Sequence, residues 1–283
     1  MYERAEILES RVKSFSLDKP LLMGILNITP DSFSDGGRYN SIDGAITRIE
    51  EFLIKGVDIA DIGGESTRPG SDIVSVEEEI NRIIPAVKLA SDSGLFVSVD
   101  TSKPEVAKVA LENGAGMIND VSGMRDEQMR KVCAEYGCSV CIMHMLGEPK
   151  SMQTSPLYID LIDDVKRFLF NAAEACIKDG INENSICLDP GFGFGKTLDD
   201  NYLLLMELLQ FKETGMPVLA GVSRKSMIGN VLHKPAEERL IGSITAETIA
   251  LMNGADIIRA HDITETADMI SIYHKAKKVR DRC

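Results

Sequence analysis

No stretch of this chain approaches the ~20 consecutive apolar residues needed to cross a bilayer. Its opening residues, Met1-Tyr2-Glu3-Arg4-Ala5-Glu6, are charged and lead into no apolar run. A membrane partner and a secretory leader are therefore not expected. Basic residues are in short supply: 31 Lys and Arg face 44 Asp and Glu, a formal net charge of −13. That field repels nucleic acid and anionic membrane surfaces, so neither is expected as a partner. Any small anionic ligand must be met by local cations. Six cysteines are scattered along 283 residues. With nothing pointing to export, they read as reduced thiols of a cytoplasmic protein. One Cys-x-x-Cys exists, Cys138 and Cys141. It falls in a strand-like segment, where odd spacing sends the two side chains to opposite faces, so core packing is expected there.

What is present is a repeating architecture. Eight short runs rich in Val, Ile, Leu or Met recur at Leu21–Thr29, Val57–Gly63, Leu95–Thr101, Met117–Ser122, Ser139–Met145, Ser185–Pro190, Pro217–Ser223 and Asp256–Asp262. They lack clean polar alternation, as expected of strands covered on both faces. Helical stripes lie between them, among them Ile42, Ala45, Ile46, Ile49, Phe52 and Leu53, and then Val76, Ile80, Ile83, Ile84 and Val87. Ser75 with Glu78, and Ser102 with Glu105, have the spacing of capping boxes. Gly56, Gly94, Gly114, Gly137, Gly180, Gly215 and Gly254 each precede a strand, where a left-handed residue closes a helix. This punctuation predicts an α/β chain, a single-domain (β/α)8 TIM barrel. An open doubly wound sheet is the alternative. Residues 1–20 read as an N-terminal appendage and residues 21–283 as the barrel. The long connections at 30–40, 64–74, 146–157 and 192–198 all follow strands, on the face where barrel active sites lie.

Polar residues gather on that face: Asn27, Asp61, Glu65, Thr67, Arg68, Asp100, Asn119, Asp120, His144, Asp189, Ser223, Arg224, Lys225, Arg259, His261 and Asp262. Each has a bland reading. Asp or Ser after a strand is often a helix cap, and Asp61 and Asp262 are read that way. Arg68 reads equally as a solvated loop charge, and Met143 as core packing. Lys225, Arg259 and His261 lie near the last two strands, where barrels often bind phosphate; ion pairing with nearby carboxylates is the alternative. No Cys–His or Ser–His arrangement is evident in these segments. The glycines of Gly191–Gly195 lack the spaced third glycine of a dinucleotide loop.

Read in order, the segments resemble those of the dihydropteroate synthase family. Met23-Gly24-Ile25-Leu26-Asn27-Ile28-Thr29-Pro30-Asp31-Ser32-Phe33-Ser34-Asp35-Gly36-Gly37 is similar to its first signature. Asp61-Ile62-Gly63-Gly64-Glu65-Ser66-Thr67-Arg68-Pro69-Gly70 is similar to its second. Shorter matches follow at Val99–Thr101, Asn119–Val121, Met143–Met145, Asp189–Lys196, Gly221–Ser226 and Arg259–Asp262. The resemblance spans about Leu21 to about Asp262 and departs at Leu146 and Ala260.

It implies condensation of a dihydropterin-methyl diphosphate with p-aminobenzoate, giving dihydropteroate and pyrophosphate. Asp100, Asn119 and Asp189 are then pterin ligands. Lys225 donates to the pterin and supplies the carboxylates with a countercharge, and Met143 and Phe194 flank the ring. Thr67, Arg259 and His261, with Ala260 between the last two, belong to the diphosphate contacts. Asn27 touches Mg²⁺, the implied cofactor. Asp31, Phe33 and Arg68 join Lys225 in the catalytic set as loop residues that close over p-aminobenzoate, and Ser223 meets its carboxylate. The resemblance further implies a homodimer and sulfonamide inhibition. A pterin-barrel methyltransferase serving a corrinoid and a non-catalytic pterin-binding paralogue stay open as alternatives.

Overall fold

The computed structural model describes residues 5–28, 38–66, 74–147 and 158–281. A short antiparallel hairpin, β1 (Ile7–Glu9) and β2 (Ser14–Ser16), comes first. Strand and helix then alternate: β3 (Leu21–Asn27), α1 (Arg38–Lys55), β4 (Ile59–Gly63), α2 (Val76–Asp92), β5 (Phe96–Asp100), α3 (Pro104–Glu112), β6 (Met117–Asp120) and α4 (Glu127–Tyr136). The second half runs β7 (Ser139–Met143), α5 (Leu161–Lys178), β8 (Ile186–Asp189), α6 (Leu198–Met206), β9 (Leu219–Ala220), α7 (Ser226–Leu232), α8 (Leu240–Met252), β10 (Ile257–Ala260) and α9 (Ile263–Arg280). Eight of the strands form one sheet in the order β8-β7-β6-β5-β4-β3-β10-β9. Its ends meet through a parallel bridge between Leu188 and Val218. This closure makes the barrel and rejects the open sheet.

All seven glycines that precede strands have left-handed φ values, from 60° to 105°. Each ends a helix where a side chain would strain the backbone. The helix starts are less regular. Ser75 caps α2 by accepting from Glu78 N, but the Glu78 carboxylate pairs with Arg82, leaving half a capping box. Ser102 does not cap α3; Lys103 takes the cap position because Pro104, lacking an N–H, fits the first helical turn. Leu53, expected in the buried stripe of α1, is exposed.

Strand alternation divides the core in two. Residues such as Leu22, Leu26, Ala60, Ile62, Val97, Val99, Ile118, Val140, Leu188 and Ile258 face outward and pack with the helices. Met23, Ile59, Phe96, Met117, Cys141, Cys187, Leu219 and Ile257 face the lumen. The N-terminal hairpin completes this inner layer: Leu8, Phe15 and Leu17 pack into it, and Phe15 meets Phe96 edge-on at 4.9 Å between ring centroids. The appendage therefore forms the apolar floor of the barrel and excludes water from below. Cys138 lies in the outer core and Cys141 in the inner one, on opposite faces as their spacing requires. No helix among the described residues is long and apolar enough to cross a membrane.

Candidate active site

Above the apolar floor, the same inward alternation turns polar. Asp61 follows Ile59 on β4, Asp100 follows Phe96 and Ser98 on β5, Asn119 follows Met117 on β6, and Asp189 follows Cys187 on β8. Arg259 follows Ile257 on β10 and reaches across the lumen. Its Nε donates to Asp61 Oδ2 at 2.6 Å and its Nη2 to Asp100 Oδ2 at 2.8 Å. Asn119 Nδ2 donates to the same Asp61 oxygen at 3.2 Å. Asp61 is therefore a lumen residue and the hub joining Asn119 to Arg259, which corrects its reading as a cap. Its other oxygen, Oδ1, is buried without a hydrogen-bond partner.

The electrostatics follow from burial. Desolvation pushes the Asp100 carboxyl up, against the pull of Arg259. Asp189 is also raised by desolvation, with Lys225 and the Gly191 N–H opposing the rise. Burial pulls Arg259 down, but Asp61 and Asp100 outweigh it and hold the guanidinium above its ordinary range. Lys225 is lowered by burial to about 8, with Asp189 resisting. The countercharge is thus divided: Arg259 serves Asp61 and Asp100, and Lys225 serves Asp189. This corrects the expectation that Lys225 alone balances the pocket. Arg259, expected among the diphosphate contacts, makes both of these ion pairs inside the lumen.

Lys225 enters from the β9 side. Its ammonium donates to Phe192 O and lies 4.8 Å from the centre of the Phe194 ring. Met143 and Met145 pack with Val121 and Phe194 as an apolar wall beside these groups. Among the described residues, no hydrogen bond engages Asp100 Oδ1 or Asp189 Oδ2. The lumen thus presents two carboxylate acceptors, an amide and an ammonium donor next to an apolar wall. That set can read the edge of a flat heterocycle carrying donors beside acceptors.

The rim holds His261 and Asn27. Burial lowers His261 to about 4, assisted by Arg259 and Arg224, so its imidazole is neutral at pH 7. Its backbone N donates to Ser223 Oγ at 3.2 Å, and its Nδ1 lies 3.3 Å from that oxygen. Ser223, the residue expected to meet the carboxylate, is buried with its Oγ against His261. Ala260 is corrected as well: its side chain belongs to the outer core, facing the helices and not the ligand. Asp120 also points outward and receives Ser122 N, Ser122 Oγ and Met124 N, shaping a turn. Asp262 binds Arg224, as a structural reading requires. Asp31, Phe33, Thr67 and Arg68 lie outside the described residues. Asn27 ends β3 facing inward, with its Oδ1 beside Gly63. No group of three His, Cys, Asp or Glu among the described residues could hold a metal.

Lys196, which strand position alone did not single out, lies with His144 directly behind the pocket. Lys196 Nζ is 2.9 Å from His144 Nδ1 and donates to Gly191 O and Phe194 O.

A closed eight-stranded barrel with a carboxylate-, amide- and ammonium-lined lumen defines a class of barrel that binds a flat, polar-edged ring. The profile of the pterin binding enzyme family matches residues 23–261, and the chain belongs to that family. It is 46% identical over 260 residues to the dihydropteroate synthase of Escherichia coli (strain K12), covering 92% of each chain. The Yersinia pestis dihydropteroate synthase, solved with a sulfonamide drug complex, superposes with a TM-score of 0.91 at 44% identity, covering 96% of this chain and 99% of that one. The Xanthomonas albilineans dihydropteroate synthase, solved with 4-aminobenzoic acid, gives 0.90 at 40% identity, covering 96% and 98%.

Proposed function

We propose that this chain is a dihydropteroate synthase. It condenses (7,8-dihydropterin-6-yl)methyl diphosphate with p-aminobenzoate to give 7,8-dihydropteroate and pyrophosphate. The observation that carries this reading is the convergence of Asp100, Asn119, Asp189 and Lys225 in one lumen. The carboxylates accept from the pterin ring N–H and exocyclic amine, while Lys225 donates to its acceptors. Met143 and Phe194 flank the ring.

The C–O bond from the pterin methylene to the diphosphate breaks, and a C–N bond to the arylamine nitrogen forms. The nitrogen then loses one proton. Ring nitrogen lone pairs stabilise positive charge on the methylene, so the protein supplies no nucleophile. Its tasks are to hold the pterin, bind the departing pyrophosphate and admit the arylamine. His261, neutral and fixed by Ser223, is a donor for diphosphate oxygens. Thr67, Arg68, Asp31 and Phe33 complete the diphosphate and p-aminobenzoate contacts by family resemblance. The single amide oxygen of Asn27 fits Mg²⁺, which keeps several waters and takes ligands from phosphates. When bound, Mg²⁺ offsets charge on the leaving pyrophosphate.

The test is a coupled assay of pyrophosphate release. Release is expected only when the pterin diphosphate and p-aminobenzoate are both present, and a sulfonamide should suppress it. Release independent of the arylamine, or none at all, rejects the synthase.

We also propose a homodimer. Helices α6, α7 and α8 pack together. They leave Leu203, Met206, Val231, Leu232, Ile241 and Met252 exposed on one side of the barrel. So large an apolar face suits a second copy of the chain. Sedimentation should give a dimer, and Ile241→Glu should give an active-site-intact monomer. A wild-type monomer at micromolar concentration would rule this out. A cytoplasmic setting is supported by Cys133, Cys138, Cys141, Cys176 and Cys187, all buried free thiols.

A further inference from the structure

Lys196 is 3% exposed, yet no carboxylate among the described residues touches its ammonium. A buried cation is costly unless its donors are all engaged. Lys196 Nζ has three close acceptors: His144 Nδ1 at 2.9 Å, Gly191 O at 2.9 Å and Phe194 O at 3.0 Å. His144 O is a fourth, at 3.5 Å; the three closest match the three donors of an ammonium. His144 can accept because it is neutral; burial, with Lys196 and Arg125 nearby, lowers it to about 2. With protonated Lys196 donating to Nδ1, the ring proton sits on Nε2. The ring is fixed edge-on against Phe168, 5.0 Å between centroids.

Two of those acceptors belong to one loop, Gly191–Gly195, between β8 and α6. This loop is forced close to its neighbours. A Cβ on Gly191 (φ 72°) would sit 1.8 Å from His144 O, and one on Gly195 (φ 64°) would sit 2.8 Å from Leu146 Cβ. Leu146, a departure from the family pattern, packs here. Gly193 N donates to Asn201 Oδ1 at 2.6 Å, and Tyr158 OH donates to Gly195 O at 2.8 Å. Lys225 grips the same loop from the pocket side, donating to Phe192 O and lying over Phe194. Consecutive loop carbonyls are thus shared between two lysines, one behind the pocket and one within it.

We propose that Lys196 is a positioning residue for pterin recognition: braced by neutral His144, its ammonium holds the Gly191–Gly195 loop in the shape that presents Phe194 and Lys225 to the ring. The proposal rests on the reading of the lumen as a pterin site. Charge matters to it, because a neutral amine has only two donors and turns a lone pair toward the lone pair of His144 Nδ1. The charged groups facing Lys196 are Asp189 on β8, Asp200 on α6 and Lys225 after β9, with His144 on the β7 side and Arg125 behind it. Burial lowers Lys196 to about 7, against the pull of Asp189 and with some repulsion from Lys225.

Steady-state kinetics on the full-length enzyme test this. Lys196→Met keeps the stem and removes the donors. The KM for the pterin diphosphate should rise about 10- to 100-fold, the loss expected for charge-assisted hydrogen bonds, while the KM for p-aminobenzoate shifts less than about threefold. The alkaline fall of kcat/KM for the pterin diphosphate should involve two protons in the wild type and one in the variant. Equal rises in both KM values, or an unchanged pterin KM, overturn the proposal. If Lys196→Met does not fold, His144→Gln and His144→Leu decide. Gln retains an acceptor for Lys196 and should stay near the wild-type pterin KM, whereas Leu should raise it; equal effects of the two overturn the proposal. Wild-type turnover in the pyrophosphate assay separates failure of this inference from failure of the synthase reading.

Discussion

Arg259→Met is expected to abolish turnover and to lower stability by about 3–5 kcal/mol, the range for breaking a buried ion pair. Methionine replaces the stem of the side chain but not the cation. Asp61, fully buried, then loses its charged donor and keeps only Asn119 Nδ2 on Oδ2, while its Oδ1 already has none. Asp100 loses the largest charge that opposes its desolvation. The pterin pocket would therefore hold protonated or repelling carboxylates in place of fixed acceptors.

The pH dependence has a definite sign. Asp100 already has a folded pKa above its unfolded value, and removal of Arg259 raises it further. The folded state then binds more protons than the unfolded state above an unfolded pKa of about 4, so stability falls as pH rises through that window. Urea unfolding at pH 5 and pH 8 should show a smaller deficit at pH 5. A deficit that is the same at both values would assign the loss to packing of the Arg259 stem, not to its charge.

This ion-pair hub was the part of the site least legible in the sequence. Arg259 lies 198 residues from Asp61 and 159 from Asp100, and only barrel closure brings them together. Asp61 was set aside because an aspartate near a strand end often caps the following helix. Strand alternation would have given the better reading. Asp61 shares the parity of Ile59 and Gly63, which places it inward, while Asp120 and Ala260 have the outward parity. The same rule separates the pocket residues Asp100, Asn119, Asp189 and Arg259 from their neighbours. Side-chain parity on eight known strands is therefore worth more than the clustering of polar residues at strand ends.

The barrel itself was legible because local and global signals agree. Seven left-handed glycines ended helices, and continuous apolar runs marked strands covered on both faces. The floor was not legible, since β1 and β2 are three residues each and carry too little periodicity to identify as strands. What holds them is burial of Leu8, Phe15 and Leu17 against residues far along the chain. Lys196 illustrates a different limit. A lysine beside a glycine-rich loop reads as solvated, and only its contact with His144, 52 residues away, shows that it is buried.

Lys225→Met should reduce kcat/KM for the pterin diphosphate by about 100-fold or more, through two losses that compound. The first is the donor to the pterin acceptors, a charge-assisted hydrogen bond in a site shielded from water. The second acts through Asp189, for which Lys225 is the strongest charge opposing desolvation. Without it, the Asp189 carboxyl moves further up and takes a proton nearer neutral pH, so it ceases to be a pure acceptor. Lys225 must be protonated to perform either task, and burial leaves it at about 8. In the wild type, kcat/KM for the pterin diphosphate should therefore fall as pH rises through about 8, since this ratio reports the ionisation of the free enzyme. The proton that titrates there should disappear from the alkaline limb of Lys225→Met, and the KM for p-aminobenzoate should change little. Because Lys196 still titrates in the variant, the test is the number of protons: an alkaline limb that keeps two in Lys225→Met would show that another group titrates, and would remove Lys225 as the donor to the pterin.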